Sequence, residues 1–131
     1  MGEVQFLTTE QVLAIHGRMI DRYGGDPTIR DLGLIESAVM MPRQRFSGKY
    51  LHPTLASMAA AYLFHLCSNH GFVDGNKRTA VGAALVFIDA NGYKLNLTSV
   101  QLERIALDVA GSKLEKPRLV KLFEAACRPR K

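Results

Sequence analysis

The sequence predicts an all-α fold, a compact single-domain bundle of about six helices over residues 1–131 with a short flap loop or hairpin. Three observations lead there. Apolar residues recur at helical spacing in six segments, each bounded by capping residues, glycine or proline. Strand-like alternation is confined to Tyr93-Lys94-Leu95-Asn96-Leu97, for which no partner is evident. A chain of 131 residues that is 47% hydrophobic can bury one core and leaves no room for a second domain.

The first helix runs from about residue 9 to 23. Thr8 and Gln11 form a capping box, Val12, Leu13, Met19, Ile20 and Tyr23 follow at helical spacing, and Gly24-Gly25-Asp26-Pro27 ends the run. His16 within it reads as a surface or partly buried structural histidine rather than a ligand. Arg30 to Met41 forms a short second helix with Leu34, Ile35, Ala38 and Val39 on one face and Pro42 as its stop. Between them and the next helix, Phe46 and Tyr50 flank Ser47-Gly48, a pattern for a small hairpin or extended loop.

Two central helices are expected at 54–69 and 79–90, because both segments are apolar almost all round. Pro53 opens the first, and Asn91-Gly92 closes the second. Thr98 and Gln101 cap a fifth helix lined by Leu102, Ile105, Ala106 and Val109. Pro117 opens a sixth, with Leu119, Val120, Leu122, Phe123 and Ala126 facing inward. Arg128-Pro129-Arg130-Lys131 reads as a solvated basic end.

The polar stretch between the central helices is where chemistry is expected. His70-Gly71-Phe72-Val73-Asp74-Gly75-Asn76-Lys77-Arg78-Thr79 places a histidine, a carboxylate, two glycines, an asparagine and two cations just ahead of a helix start. Unpaired amides and the positive dipole end at such a start attract anions, and glycine lets the backbone curl close to one. Asp74 would repel a phosphate unless a divalent cation sits between them, the arrangement in which Mg2+ shares oxygen ligands with nucleotides. An imidazole at 70 is placed to take a proton from an attacking hydroxyl. A plain turn in which Asp74 and Asn76 cap the next helix is the competing reading. It leaves Lys77 and Arg78 unexplained, since cations in a first helical turn oppose the dipole.

Composition narrows the function classes. No run of about 18 apolar residues suggests a membrane span, and Met1-Gly2-Glu3-Val4 lacks the features of a signal peptide, so a cytoplasmic protein is expected. Cys67 and Cys127 lack framework spacing and read as reduced thiols, neither a nucleophile. His65 and His70 stand five residues apart, about 500 degrees around a helix, which does not stack them as zinc ligands. The net charge of +5 is spread along the chain without a recognition helix rich in Arg and Lys, so no direct nucleic-acid binding is expected.

The stretch His70-x-Phe72-x-Asp74-Gly75-Asn76-x-Arg78 resembles the signature of the Fic/Doc family, and Asn76-Lys77-Arg78-Thr79 resembles its Doc (death-on-curing) branch. Arg22-Tyr23-Gly24-Gly25, Arg30 through Ala38 and Pro42 are similar to the same branch, so the likeness covers most of the chain. The resemblance implies that His70 is the general base, Asp74 the Mg2+ ligand, and Gly75, Asn76, Lys77 and Arg78 the phosphate-holding group; Thr79 is grouped with them for a hydroxyl contact to phosphate, with capping or packing the commoner use of such a threonine. It also implies that Phe46, Ser47, Gly48, Lys49 and Tyr50 form a flap that aligns the target, and that the second helix lies beside the cleft.

Departures from the broad Fic pattern bear on the reaction. Gly71 stands for proline, Lys77 for the second glycine and Val81 for the final arginine. Lysine fills space that a phosphate would otherwise occupy, and loss of the arginine removes a cationic partner, so adenylyl transfer becomes the alternative. The resemblance to Doc toxins implies transfer of the γ-phosphate of ATP, with Mg2+, to a threonine or serine of elongation factor Tu, arresting translation. It implies a cognate antitoxin with a disordered segment that folds into an apolar groove. Ser99 to Glu103 has the spacing of a Fic inhibitory motif but is followed by Arg104, so self-inhibition in cis is not expected. A nucleotide-binding module without catalysis is a further alternative.

Overall fold

The computed structural model describes residues 3–130, which leaves the Met1-Gly2 start and Lys131 of the tail outside the described residues. Six α-helices make up the body: α1 (Thr9–Tyr23), α2 (Leu32–Met40), α3 (Leu55–Asn69), α4 (Asn76–Ala90), α5 (Ser99–Ala110) and α6 (Lys116–Ala126). Two small antiparallel ribbons accompany them, β1 (Arg45–Phe46) with β2 (Lys49–Tyr50), and β3 (Tyr93–Leu95) with β4 (Cys127–Pro129). The all-α reading and the hairpin both hold. A 3-10 turn, Met41–Arg43, carries the stop at Pro42.

Local chemistry sets the boundaries. Reciprocal capping boxes open α1 (Thr8 with Gln11) and α5 (Thr98 with Gln101), as the sequence indicates. A third opens α3, where Thr54 and Ser57 exchange bonds; Pro53 precedes this cap instead of starting the helix. Asp31 accepts from Leu34 N–H and so caps α2, which starts at Leu32 and not at Arg30. The larger difference is α4, which begins three residues before the expected 79, so that Lys77 and Arg78 lie within its first turn.

Helix α3 is the axis of the bundle. Ten of its fifteen residues are buried, and its most extensive packing is against α4, followed by α6 and α2. Small residues suit the close approach: Ala56, Ala59, Ala60 and Ala61 on α3 and Ala80, Ala83 and Ala84 on α4 are all at most 4% exposed. The expectation that α4 is buried all round fails at Leu85 and Val86, which are 37% and 39% exposed. In α6, Leu119, Phe123 and Ala126 face the core as expected, but Leu122 is 42% exposed.

The C-terminal segment also differs from the sequence reading. It is not a loose solvated end: Cys127–Pro129 pairs antiparallel with Tyr93–Leu95, which supplies the missing strand partner. Arg130 then donates from its backbone to Gly92 O at 2.9 Å and pairs with Asp89 at 3.1 Å. No helix among the described residues is long and apolar enough to cross a membrane.

Candidate functional site

Residues 70–75 join the C-terminus of α3 to the N-terminus of α4, and a strap between α1 and α2, residues 24–31, lies along them. His70 ends α3 in the left-handed region, at φ 51° and ψ 48°, a conformation that costs a non-glycine residue about 1 kcal/mol or more and needs outside support. The strap gives that support. Arg30 Nε donates to His70 O at 2.7 Å and Arg30 Nη2 to Asn69 O at 3.3 Å. The backbone amides of Arg30 and Asp31 both donate to Gly71 O, at 2.9 and 3.0 Å. Val73 N–H donates to Thr28 O at 3.1 Å, and Ile29 bridges Phe72. His70 itself is exposed.

Gly71 is buried, and its place in the sequence is explained by α2. A Cβ here would overlap Ile35 Cγ1, and Ile35 is only 1% exposed. Phe72 is the anchor of the loop, 2% exposed and stacked on His16 with ring centroids 3.7 Å apart and planes 8° apart. Asn76 staples the turn: its Oδ1 accepts from Phe72 N–H at 3.1 Å and its Nδ2 donates to Phe72 O at 2.9 Å.

His16 proves more than a helix-surface residue. It is 4% exposed, and its Nε2 lies 2.8 Å from Asp74 O. A carbonyl oxygen only accepts, so Nε2 carries the proton. The ring also lies under Gly75, whose position would bring a Cβ to 3.5 Å from the imidazole. His16 therefore fixes both Phe72 and the Asp74–Gly75 turn, a role its position mid-helix did not announce.

Asp74 and the start of α4 form the outward face. Asp74 is exposed; Oδ1 accepts from Gly75 N–H at 2.8 Å and Oδ2 is approached by Asp26 N–H at 3.4 Å. Asp26 in turn accepts from Thr28 N–H at 2.9 Å, and its bonds to Thr28 hold its carboxyl below the usual carboxylate value. Gly75 takes φ 82° as the N-cap residue. No side chain caps α4: Asp74 accepts from Gly75 and Asn76 from Phe72, so neither serves the first-turn amides. The simple capping alternative thus fails. A helix start with open amides, no acidic residue in its first turn and two cations at Lys77 and Arg78 is an electropositive end suited to an anion.

Arg78 is held in place by an aromatic shelf. Its guanidinium carbon lies 4.2 Å from the Tyr23 ring centroid, at the end of α1. Lys77 is exposed beside it. Thr79 corrects the expected grouping: it is fully buried and its hydroxyl has no partner, so it stays out of reach of a ligand at the loop surface. From the loop an apolar groove of about 520 Å3 runs between α1, α4 and α5, walled by Met19, Val81, Leu85, Val100 and Leu107. Val81, where the Fic pattern has arginine, is one wall of that groove.

The hairpin is placed differently. Ser47 and Gly48 both take positive φ, 52° and 77°, as a two-residue hairpin turn requires. Arg45 pairs with Tyr50 and Phe46 with Lys49. Tyr50 packs on Phe6, which stacks on Phe87, and Leu7 N–H donates to Tyr62 O–H oxygen. Among the described residues none of the hairpin's hydrogen bonds or ring contacts reaches His70 or Asp74. Phe46 is 73% exposed at its tip.

The thiols and remaining histidines lie elsewhere. Burial pushes the Cys67 thiol up to about 12 and raises that of Cys127, and both are free, so neither is a ready nucleophile. Among the described residues no group of three or more His, Cys, Asp or Glu side chains could hold a metal. His65 Nε2 meets Lys116 Nζ at 2.9 Å; Lys116 is the donor to a neutral ring.

Comparison with known proteins places this loop in context. A model described as the Fic/DOC family matches residues 6–92. A protein named Toxin Doc from Mycolicibacterium smegmatis is 45% identical over 73 residues, 56% of this chain and 56% of that protein. The chain therefore spans little more than half of that relative. Protein kinase doc of Escherichia phage P1 is 33% identical over 92 residues, 70% of this chain and 72% of that one.

Proposed function

The chain belongs to the Fic/DOC family, and from that premise we propose that it is the toxin of a toxin–antitoxin pair that moves the γ-phosphate of ATP to a protein hydroxyl. The observation that carries this reading is the start of α4: first-turn amides without a side-chain cap, flanked by Lys77 and by Arg78 on its Tyr23 shelf. The names of the two relatives, a toxin and a protein kinase, support the same class of activity.

In this mechanism the α4 amides, Lys77 and Arg78 bind and neutralise the transferring phosphoryl group, and little covalent work remains for the protein. His70, which is exposed, takes the proton from the acceptor hydroxyl. Asp74 fits a Mg2+ ion, because its carboxylate is exposed and only lightly engaged at 3.4 Å on Oδ2, and Mg2+ characteristically uses one or two carboxylates with substrate phosphates. When bound, that ion would offset the charge of Asp74 against the phosphates. Asn76 shapes the loop through Phe72, its amide already engaged.

The resemblance to Doc proteins supports a threonine of elongation factor Tu as the acceptor, in the cytoplasm, with arrest of translation as the outcome. The hairpin supports alignment of the target, since a two-stranded ribbon offers an open edge and Phe46 stands out at its tip. A disordered antitoxin segment suits the apolar groove between α1, α4 and α5, next to the anion site.

The test is intact-mass analysis of elongation factor Tu incubated with this protein and Mg-ATP, wild type beside His70→Ala. A gain of one phosphate that disappears in the variant is expected. A gain of AMP instead would mean that Lys77 does not redirect the nucleotide, and transfer at the wild-type rate by His70→Ala would remove His70 from the base role.

A further inference from the structure

We propose that Arg30 is the positioning residue for His70, an inference that rests on the reading of His70 as the base. Arg30, two residues before α2, grips the loop on both sides of the histidine. Its backbone amide donates to Gly71 O at 2.9 Å, and its side chain donates to His70 O at 2.7 Å and Asn69 O at 3.3 Å. The contacts span 40 residues of sequence, so they fix the loop against a separate element.

Two physical consequences follow. First, His70 sits at φ 51°, a region that a histidine leaves readily unless neighbours over-determine it. The Arg30 fork closes on the carbonyls immediately before and at this residue, so rotation of His70 out of the left-handed region would break at least one of the two bonds. Second, the last carbonyls of α3 are the negative pole of that helix, only six residues from the anion-binding start of α4. The guanidinium covers that pole, which would otherwise repel an approaching phosphate. Lysine could keep the charge but not the planar two-carbonyl fork.

The experiment compares Arg30→Gln and Arg30→Lys with wild type in two readouts. One is kinetic, kcat and KM for ATP in transfer to protein. The other is independent of activity: the Cα and Cβ chemical shifts and HN–Hα coupling of His70, which report its backbone conformation. For Arg30→Gln, kcat falls about 10- to 100-fold, the scale set by roughly 1 Å of misplacement, KM for ATP changes less than about 3-fold, and the His70 shifts leave the left-handed range. Arg30→Lys recovers part of kcat. Unchanged kcat and unchanged His70 shifts in Arg30→Gln overturn the proposal, as does a loss of folded protein without the kcat-against-KM split. If His70→Ala retains full transfer, the functional reading fails instead, while the His70 shifts in Arg30→Gln still decide whether Arg30 holds it.

Discussion

Gly71→Ala tests the packing that holds the loop, and its effect can be worked from the geometry. The new Cβ would overlap Ile35 Cγ1 and lie 3.2 Å from Ile35 Cδ1 and 3.3 Å from Asp31 O. Ile35 is 1% exposed and part of the core, so it has little room to yield. Gly71 does not take positive φ, so alanine carries no backbone penalty there. Overpacking of this kind costs about 1–3 kcal/mol, and the loss of glycine's freedom in the unfolded chain returns about 0.5. A net destabilisation of about 0.5–2.5 kcal/mol is expected, read from urea unfolding as a lower midpoint at unchanged m. The control is the background in which Ile35 is shortened. Ile35→Ala alone costs about 2–5 kcal/mol, but it clears the space at Cγ1. Gly71→Ala added to it should then cost about 0 or less, a coupling of roughly 1–3 kcal/mol between the two sites. If Gly71→Ala is neutral in the wild-type background, or equally costly in both, the overlap with Ile35 is not what excludes a side chain at 71. The same reasoning accounts for glycine where the broad Fic pattern has proline, whose Cβ would meet the same atoms.

Two further outcomes are expected. Asn76→Ala removes both bonds to the Phe72 backbone, at 3.1 and 2.9 Å, and should cost about 1–3 kcal/mol; hydrogen exchange of the Phe72 amide should rise sharply, and unchanged protection there would show that Asn76 does not staple the turn. The second concerns acid stability. Burial, then the charges of Lys116 and His52, depress His65 to about 4 from its ordinary 6.5, and burial and Lys116 lower His52 as well. The folded protein thus binds fewer protons than the unfolded chain between those values. The His65 contribution is complete above about 6.5 and is lost as pH falls toward 4, amounting to roughly 1–2 kcal/mol once the ring's partial exposure is allowed for. His65→Gln should flatten the stability profile across that window, and a profile as steep as the wild type's would locate the acid sensitivity elsewhere.

What could be read from the sequence was local. Thr8 with Gln11 and Thr98 with Gln101 declare two helix starts, because a capping box is complete within four residues. Ser47-Gly48 declares a turn for the same reason. Thr54 with Ser57 escaped, since serine at the third position lacks the usual Glu or Gln signature. Partners distant in the chain were not legible at all. Tyr93–Leu95 shows strand alternation, yet its mate at Cys127–Pro129 lies within what reads as a basic tail. Gly24–Asp31 shows only a helix break, and nothing local reveals that it lies along residues 69–74. His16 is visible as a histidine among apolar neighbours, but its bond to Asp74 crosses 58 residues. Thr79 follows Arg78 directly in the motif, yet one more helical step turns it into the core.

The pairing of helix ends at the loop suggests why its two halves are built so differently. Helix α3 delivers its negative pole and α4 its positive pole to opposite ends of residues 70–75. Left alone, both poles would carry orphan polar groups, and the fold treats them unequally. The α3 carbonyls at Asn69 and His70 are engaged by Arg30, and Asn69 also reaches Leu34 O at 3.0 Å. The α4 amides receive no side-chain acceptor, although Asp74 and Asn76 stand within two residues and are types that ordinarily cap. Each is diverted: Asp74 to its neighbour's amide, and Asn76 to Phe72. A helix start left open while its two natural caps are engaged elsewhere costs stability in the free protein, on the order of 1 kcal/mol for a missing cap. An acceptor bound from outside at those amides would recover that cost, so the proposed anion site predicts that bound phosphate stabilises the folded protein.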